Sequence, residues 1–335
     1  MQEPATLQDI ADRVGVARGT VSSALSGKGR VSAETRHRIR TVADELGYVA
    51  NTVARNLRAS RSGSIGLLVP DDPLSYPFYM AIVYGAVTRA HEAGLLVTIM
   101  PRAVNPDVRF EDHLDGFIVI DPHDDDEMAA RLLAGRRPAV SGETPPPDMS
   151  APTTIVRSDN EGCATDLVMH LADRGAKTIL AVLAPPIAAW SREVATGFER
   201  AVADCGITSR QLILGTDIGP EQIAERIAKA VTPDVDAVLC AAEGTALIAL
   251  QTLTKMGRHV GKDILLASYL DSVALTVTAP PVTAIDLQPR EVGAACVEAL
   301  IDAISQRETK PTTTRSVEVP YLLTIRESTT RLTGR

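Results

Sequence analysis

From Ile65 onward one theme repeats: apolar runs of strand length, IGLLV, LLVTIM, GFIVI, TILAVL, AVLCA and ILLASY, alternate with helical-period stretches at 79–93, 162–174, 192–205 and 221–231. A strand apolar at every position must be covered on both faces. Strands separated by helices are joined by crossovers, so the pattern demands parallel sheets between helical layers. The roughly 270 residues that carry it are more than one core accommodates, which gives two such sheets. The expected core is therefore α/β, built of two doubly wound parallel-sheet subdomains.

The first 62 residues follow a different pattern. Leu7, Ile10, Ala11 and Val14 fall at i, i+3, i+4 and i+7, an apolar stripe on a short helix capped by Thr6 with Asp9 three residues on, and Gly15 ends it. A second helix over 17–25 buries Val21 and Leu25 before GKG at 27–29 breaks the pattern. Ser32 caps a third helix, with Ile39, Val42, Ala43 and Leu46 on one face and Gly47 as its stop. Three short helices with a tight glycine-containing turn between the first two make a helix-turn-helix unit. The basic, serine-rich NTVARNLRASRSGS that follows is too polar to bury a face and reads as a linker.

Charge separates the two regions. Residues 1–62 hold ten Lys/Arg against six Asp/Glu, a balance of +4, which leaves −12 for the rest of a chain whose net charge is −8. A basic head on an acidic body concentrates the attraction for phosphate at one end. The apolar share of 45% and charged share of 23% are those of packed domains. No apolar run reaches bilayer length and the N-terminus lacks a secretory signal, so no membrane association and a cytoplasmic location are expected. Cys163, Cys205, Cys240 and Cys296 lie far apart, without CxxC or histidine partners, and read as buried thiols.

Doubly wound sheets often carry active sites, but GxGxxG, GxxxxGK[ST], HExxH and GxSxG are all missing. The acidic run 124–127 reads as a helix start, and the six histidines are scattered. No catalytic residues, no metal and no cofactor are expected.

The chemistry is in the headpiece. A recognition helix enters the major groove with its N-terminal side chains toward base edges, while small or hydroxylated residues let the backbone approach phosphate. Arg18, Gly19, Thr20, Ser22 and Ser23 supply that combination. The stretch TLQDIADRVGVARGTVSSALSGKGRVSAETRHRIRTVADELGYVANTVARNLRASRSGSIGLLVPD resembles the start of the lactose-repressor (LacI/GalR) family in helix order, in its VSxxTR and LGYxxN signatures and in the strand after the linker. The likeness continues through DGFIVIDP, DNEGCATDLVMHL, ATGFERA and PPVTAIDLQPREVGAACVEAL.

The resemblance implies a sequence-specific transcriptional regulator, most simply a repressor, that binds a palindromic operator in double-stranded DNA as a homodimer. It places Arg18, Gly19, Ser23 and Arg30 at major-groove or base-edge positions, and Thr6, Thr20, Ser22, Ser32 and Thr35 at phosphate-contacting positions. Family members often carry Arg where Ser23 stands, so the half-site read here should differ from theirs. NTVARNL matches the family's hinge helix, with Leu57 as the minor-groove wedge and Asn51 and Ala54 beside it. The domains implied are a helix-turn-helix at 1–50, a hinge at 51–62 and an effector-binding, dimerising core at 63–335. That core resembles periplasmic sugar-binding proteins. Its first subdomain is expected at 63–174 and 287–317, and its second at 175–286 and 318–330.

A small-molecule effector is implied in the cleft between the subdomains. Matched positions there carry Gly162, Val194, Ala242 and Leu270 where sugar-responsive members have polar groups. Each lost partner costs a sugar about 1 to 3 kcal/mol, so an effector other than a simple sugar is expected. Phe78, Tyr79 and Trp190, with Asp121 and Arg192 as polar anchors, suit a flat or apolar ligand. The short span 104–113 predicts a helix shortened or lost before the DGFIVI strand, which would open a sheet edge or alter the dimer face. The alternative is a DNA-binding regulator whose core binds no small molecule and serves only dimerisation or protein contacts.

Overall fold

The computed structural model describes residues 5–26, 30–48, 61–71, 76–102, 110–215, 218–242, 244–306 and 313–330. The chain divides into two compact units, 1–61 and 62–335.

In the first unit, α1 (Leu7–Val14), α2 (Arg18–Ser26) and α3 (Ala33–Glu45) surround a small core of Ile10, Ala11, Val14, Val21, Ala24, Ile39 and Ala43. Thr6 and Asp9 form a reciprocal capping box: the Thr6 backbone N–H donates to Asp9 Oδ2 at 2.7 Å and the Asp9 N–H to Thr6 Oγ1 at 3.3 Å. Gly15 closes α1 at φ 77°, a left-handed turn that L side chains resist. The buried pair of α2 is Val21 and Ala24; Leu25, expected inside, packs half-buried at the edge of the core. Arg38 of α3 donates to the Val14 carbonyl at 3.2 Å, tying the third helix to the end of the first.

The second unit has two six-stranded sheets. In the first, the order is β2 (Leu96–Met100), β1 (Ser64–Leu68), β3 (Phe117–Ile120), β4 (Ala139–Gly142), β5 (Thr154–Arg157) and β11 (Arg315–Glu318), all parallel. The second runs β7 (Thr208–Ile213), β6 (Thr178–Leu183), β8 (Ala237–Cys240), β9 (Leu265–Ser268), β10 (Thr283–Asp286) and β12 (Leu322–Thr324), with only β12 antiparallel. One face of the first sheet is covered by α4 (Tyr76–Glu92) and α11 (Pro289–Gln306), the other by α5 (Glu127–Ala134). The second sheet is covered by α6 (Asn160–Asp173) and α7 (Ala189–Cys205) on one side, and by α8 (Pro220–Ala230) and α9 (Thr245–Lys255) on the other. A short α10 (Val273–Thr276) follows β9.

The backbone passes between the sheets three times, after Arg157, after Asp286 and after Glu318. The first passage corrects the expected boundary at 174. Leu167, Val168 and Leu171 of α6 bury among Ile179, Ala181 and Leu239 of the second sheet, so 160–173 belongs with the second subdomain. Between β2 and β3 the described residues form only a 3₁₀ turn, Phe110–His113, and the edge strand β2 leaves Leu96 and Ile99 exposed. Of the thiols, Cys163, Cys240 and Cys296 are buried and Cys205 is half-buried.

The contact of α4 with α11 is backbone against backbone. A Cβ at Gly85 would overlap the Arg290 carbonyl, and one at Gly293 the Ile82 carbonyl, so each glycine admits the other helix. Gly293→Ala is expected to push the helices apart at a cost of about 1 to 3 kcal/mol, measured by urea unfolding of the core. An unchanged midpoint would show that the contact relaxes freely.

Candidate functional site

Two regions concentrate functional chemistry, one in each unit. In the headpiece, Arg18 and Gly19 open α2 and are exposed, Thr20, Ser22 and Ser23 are half-buried along it, and Arg30 is exposed before α3. Val21 and Ala24 face the core, which turns the N-terminal turn of α2 outward. Thr6 and Ser32 act as helix caps, and Ser32 Oγ also donates to Thr35 Oγ1 at 2.8 Å. Their helix N-termini carry the positive dipole ends suited to phosphate. Asn51, Ala54 and Leu57 lie outside the described residues.

The second region is a cavity of roughly 330 Å³ in the core unit. Its walls come from the carboxyl ends of parallel strands in both sheets. Pro70 follows β1, Asp121 β3, Glu143 β4, Ala184 β6, Leu214 β7, Ala242 β8, Tyr269 β9 and Leu287 β10. That is where doubly wound sheets bind ligands, because the strand–helix turns there splay apart. Phe78 and Tyr79 from α4 and Trp190 from the first turn of α7 complete the apolar lining. Trp190 lies parallel to Tyr269, 6.1 Å between centroids and 8° between planes. Phe78 meets Tyr79 edge-on at 5.5 Å.

Of the residues expected here, Phe78, Tyr79, Asp121, Trp190, Ala242 and Leu270 line the cavity. Gly162, Arg192 and Val194 do not. Gly162 sits in the first turn of α6, where its N–H donates to the capping Asp159 Oδ1 at 2.9 Å. Val194 is buried with Phe198, one turn further along the core face of α7. Arg192 points instead to Asp124, 3.3 Å away, and donates to the Pro186 carbonyl. That ion pair lies beside a bridge of His123 with Ala188 and an Asp124 N–H to Ile187 carbonyl bond of 2.9 Å, all joining the first subdomain to the second.

Among the lining residues that were not anticipated, Glu143 and Asn160 carry the polar chemistry. Both belong to a buried polar network. The Tyr269 hydroxyl donates to Asn160 Oδ1 at 2.5 Å, and the Asn160 amide donates to Glu143 at 3.2 Å and to Glu193 at 2.8 Å. The Ser158 N–H donates to Glu143 at 3.3 Å, and Tyr79 donates to Asp121 at 2.8 Å. Asp121 and Glu143 hold φ of 44° and 81°, left-handed backbone costing about 1 to 3 kcal/mol where glycine is not used. Such strain persists where the surrounding structure fixes it, here through Asp121 N–H to the Gly142 carbonyl and Glu143 N–H to the Val156 carbonyl.

Burial pushes the Asp121 carboxyl up to about 6, against the Tyr79 hydrogen bond and the Arg102 charge. Glu143 is pushed up to about 8, mainly by burial and then by the charge of Asp121. Arg102 holds the strand ends beneath them, donating to the Val69 and Ile120 carbonyls at 3.1 and 2.7 Å and pairing with Asp126.

Comparison with known proteins fits both regions. Residues 6–51 match the model of bacterial regulatory proteins, lacI family, and residues 168–329 match a periplasmic binding protein-like domain. The headpiece is that of the lacI family. Its relatives include the transcriptional regulator CelR of Thermobifida fusca, 29% identical over 91% of this chain and 94% of that one. The transcriptional repressor CytR of Escherichia coli is 28% identical over 89% of both chains. A solved complex of CelR with cellobiose superposes with a TM-score of 0.68 at 27% identity, covering 97% and 99% of the two chains. The lac repressor dimer bound to operator shares the fold, with a TM-score of 0.73 over 98% and 99% at 24% identity. This chain is thus a DNA-binding transcriptional regulator with a lacI-family helix-turn-helix headpiece and two parallel-sheet subdomains.

The raised value of Glu143 sets a pH dependence. Above its ordinary value of 4.5 the carboxyl ionises in the unfolded chain while the native one stays neutral. Folding is therefore penalised increasingly up to about pH 8, where the native group ionises too. Glu143→Gln should leave the melting temperature unchanged near pH 4 and raise it by several degrees at pH 8. Calorimetry across that range checks this; a difference that shrinks as pH rises would reverse the assignment.

Proposed function

We propose that this chain is an effector-controlled repressor that binds a palindromic operator as a homodimer in the cytoplasm, associated with the nucleoid. The observation that carries the effector is the cavity of roughly 330 Å³ walled by the strand ends of both sheets. A ligand that touches both subdomains favours one arrangement of them over another and so couples cleft occupancy to another site. Dimerisation is supported by Met80, Tyr84 and Val87, at helical spacing on α4, with Leu96 and Ile99 of the neighbouring edge strand; all five are large, apolar and exposed. A two-fold protein reads a two-fold site with half-sites about one helical turn apart.

Sugar responsiveness is less restricted than the matched positions suggested. Two of the four supposed losses, Gly162 and Val194, lie off the cavity, while Asp121, Glu143 and Asn160 supply polar groups there. The reading as a ligand-blind core has no specific observation in its favour.

Selection of genomic fragments by the full-length protein, followed by sequencing, is expected to return a palindrome; an absence of any enriched site would refute operator recognition. Within that site, Arg18→Ala should relax preference at one half-site position by about 1 to 3 kcal/mol. Leu57→Ala should weaken operator binding far more than binding to random DNA. Equal losses on both DNAs would remove Leu57 as the wedge.

A further inference from the structure

The chemistry of the cleft narrows its ligand. We propose that it takes a small organic cation, an ammonium or amidinium group carried on a flat ring. This rests on reading the cleft as the effector site.

The carboxylates define the polar end. Asp121 and Glu143 follow the adjacent strands β3 and β4, and both line the cavity. Among the described residues no lysine or arginine lines it. The nearest guanidinium groups have other partners: Arg102 binds two carbonyls and Asp126, Arg157 pairs with Glu193 at 3.3 Å, and Arg192 pairs with Asp124. An anionic ligand would add charge of the same sign to an enclosed acidic site.

The hydroxyl and amide donors of the lining point into the protein. Tyr79 donates to Asp121, Tyr269 to Asn160, and the Asn160 amide to Glu143 and Glu193. Ser191 Oγ donates to the Ala188 carbonyl at 2.9 Å, and the Thr245 hydroxyl donates to the Ala242 carbonyl. What remains for a ligand is chiefly the carboxyl oxygens of Asp121 and Glu143, acceptors once ionised, beside the Trp190 indole N–H. A neutral polyol could donate to these oxygens, but its own oxygens would meet few donors and the acidic pair would stay uncompensated. A cation supplies donors and opposite charge together.

The apolar end selects the carrier. The stacked Trp190 and Tyr269, with Phe78, present π-faces that attract a cation and bury a flat ring. Binding also has a proton signature. Glu143 faces Asp121, Glu193, Asn160 and Ser158, and Asp121 faces Tyr79 and Arg102. A bound cation lowers the pKa of both carboxyls, so protons leave as it enters and affinity rises with pH between about 6 and 8.

The test uses matched pairs in calorimetric titrations of the full-length protein: tyramine against tyrosol, benzylamine against benzyl alcohol, and glucosamine against glucose. At least one cation is expected to bind ten-fold or more tightly than its neutral partner at pH 8. It should release protons, seen as heats that change with the buffer's ionisation enthalpy. Glu143→Gln should abolish the preference, and Trp190→Ala should weaken both members of the pair alike, locating them in the cleft. Equal or tighter binding of the neutral members would overturn the cation assignment and leave the effector reading standing. Binding untouched by Trp190→Ala would place the cations elsewhere and overturn it too. No binding by any of the six probes, on a protein that still binds its operator, would count against both.

Discussion

The three passages of backbone between the sheets, after Arg157, Asp286 and Glu318, are the constraint on which the core depends. They hold the carboxyl ends of two sets of parallel strands around one crevice, and most lining residues lie in the turns that follow those strands. Because each subdomain has its own sheet and its own helical cover, the crevice can change shape without disturbing either core. The close packing of α4 on α11 through Gly85 and Gly293 matters for the same reason. It fastens the segment after the second passage to the first subdomain, so that the crossing backbone has fixed ends.

Within that crevice the protein accepts an electrostatic cost. Asp121 and Glu143 sit in left-handed backbone with their carboxyls enclosed, burial raises the proton affinity of both, and the charge of Asp121 raises that of Glu143 further. Replacing both with apolar residues would remove the cost, and such strained, charge-burdened positions concentrate where a ligand relieves them. The network around them, from Tyr269 through Asn160 to Glu193 and Arg157, crosses from the second sheet to the first passage. The opposite rim is joined by Arg192, Asp124 and the His123–Ala188 bridge. Polar links on both sides of the cavity give a bound molecule means to bias how the subdomains meet.

Much of this was legible in the residues because the signals were local. TILAVL is β6 to the residue, and the Thr6–Asp9 capping box begins α1 where the periodicity placed it. β7, Thr208–Ile213, was not legible. As an edge strand it is largely exposed, and TSRQLI carries no apolar run. β4, AVSG, and β5, TIVR, carry no continuous apolar run, which hid Glu143 and the early end of the first sheet. Val194 and Arg192 were misplaced for a geometric reason. Trp190, Val194 and Phe198 recur every four residues on one face of α7, which begins at Ala189, so Trp190 in the first turn reaches the cavity while Val194, one turn deeper, is buried in the core. Position matching alone does not carry depth along a helix. The headpiece was read more securely, since three short helices around seven small apolar side chains leave few alternative arrangements.

If occupancy of the cleft changes affinity for the operator, fluorescence anisotropy on a labelled operator will read it, titrated with the wild-type protein and with Trp190→Ala in the presence of fractionated metabolite extract. At least one fraction is expected to shift the wild-type dissociation constant by about five-fold or more and to leave the variant unmoved. An operator affinity that stays the same in every fraction, or a shift of equal size in both proteins, would contradict that coupling.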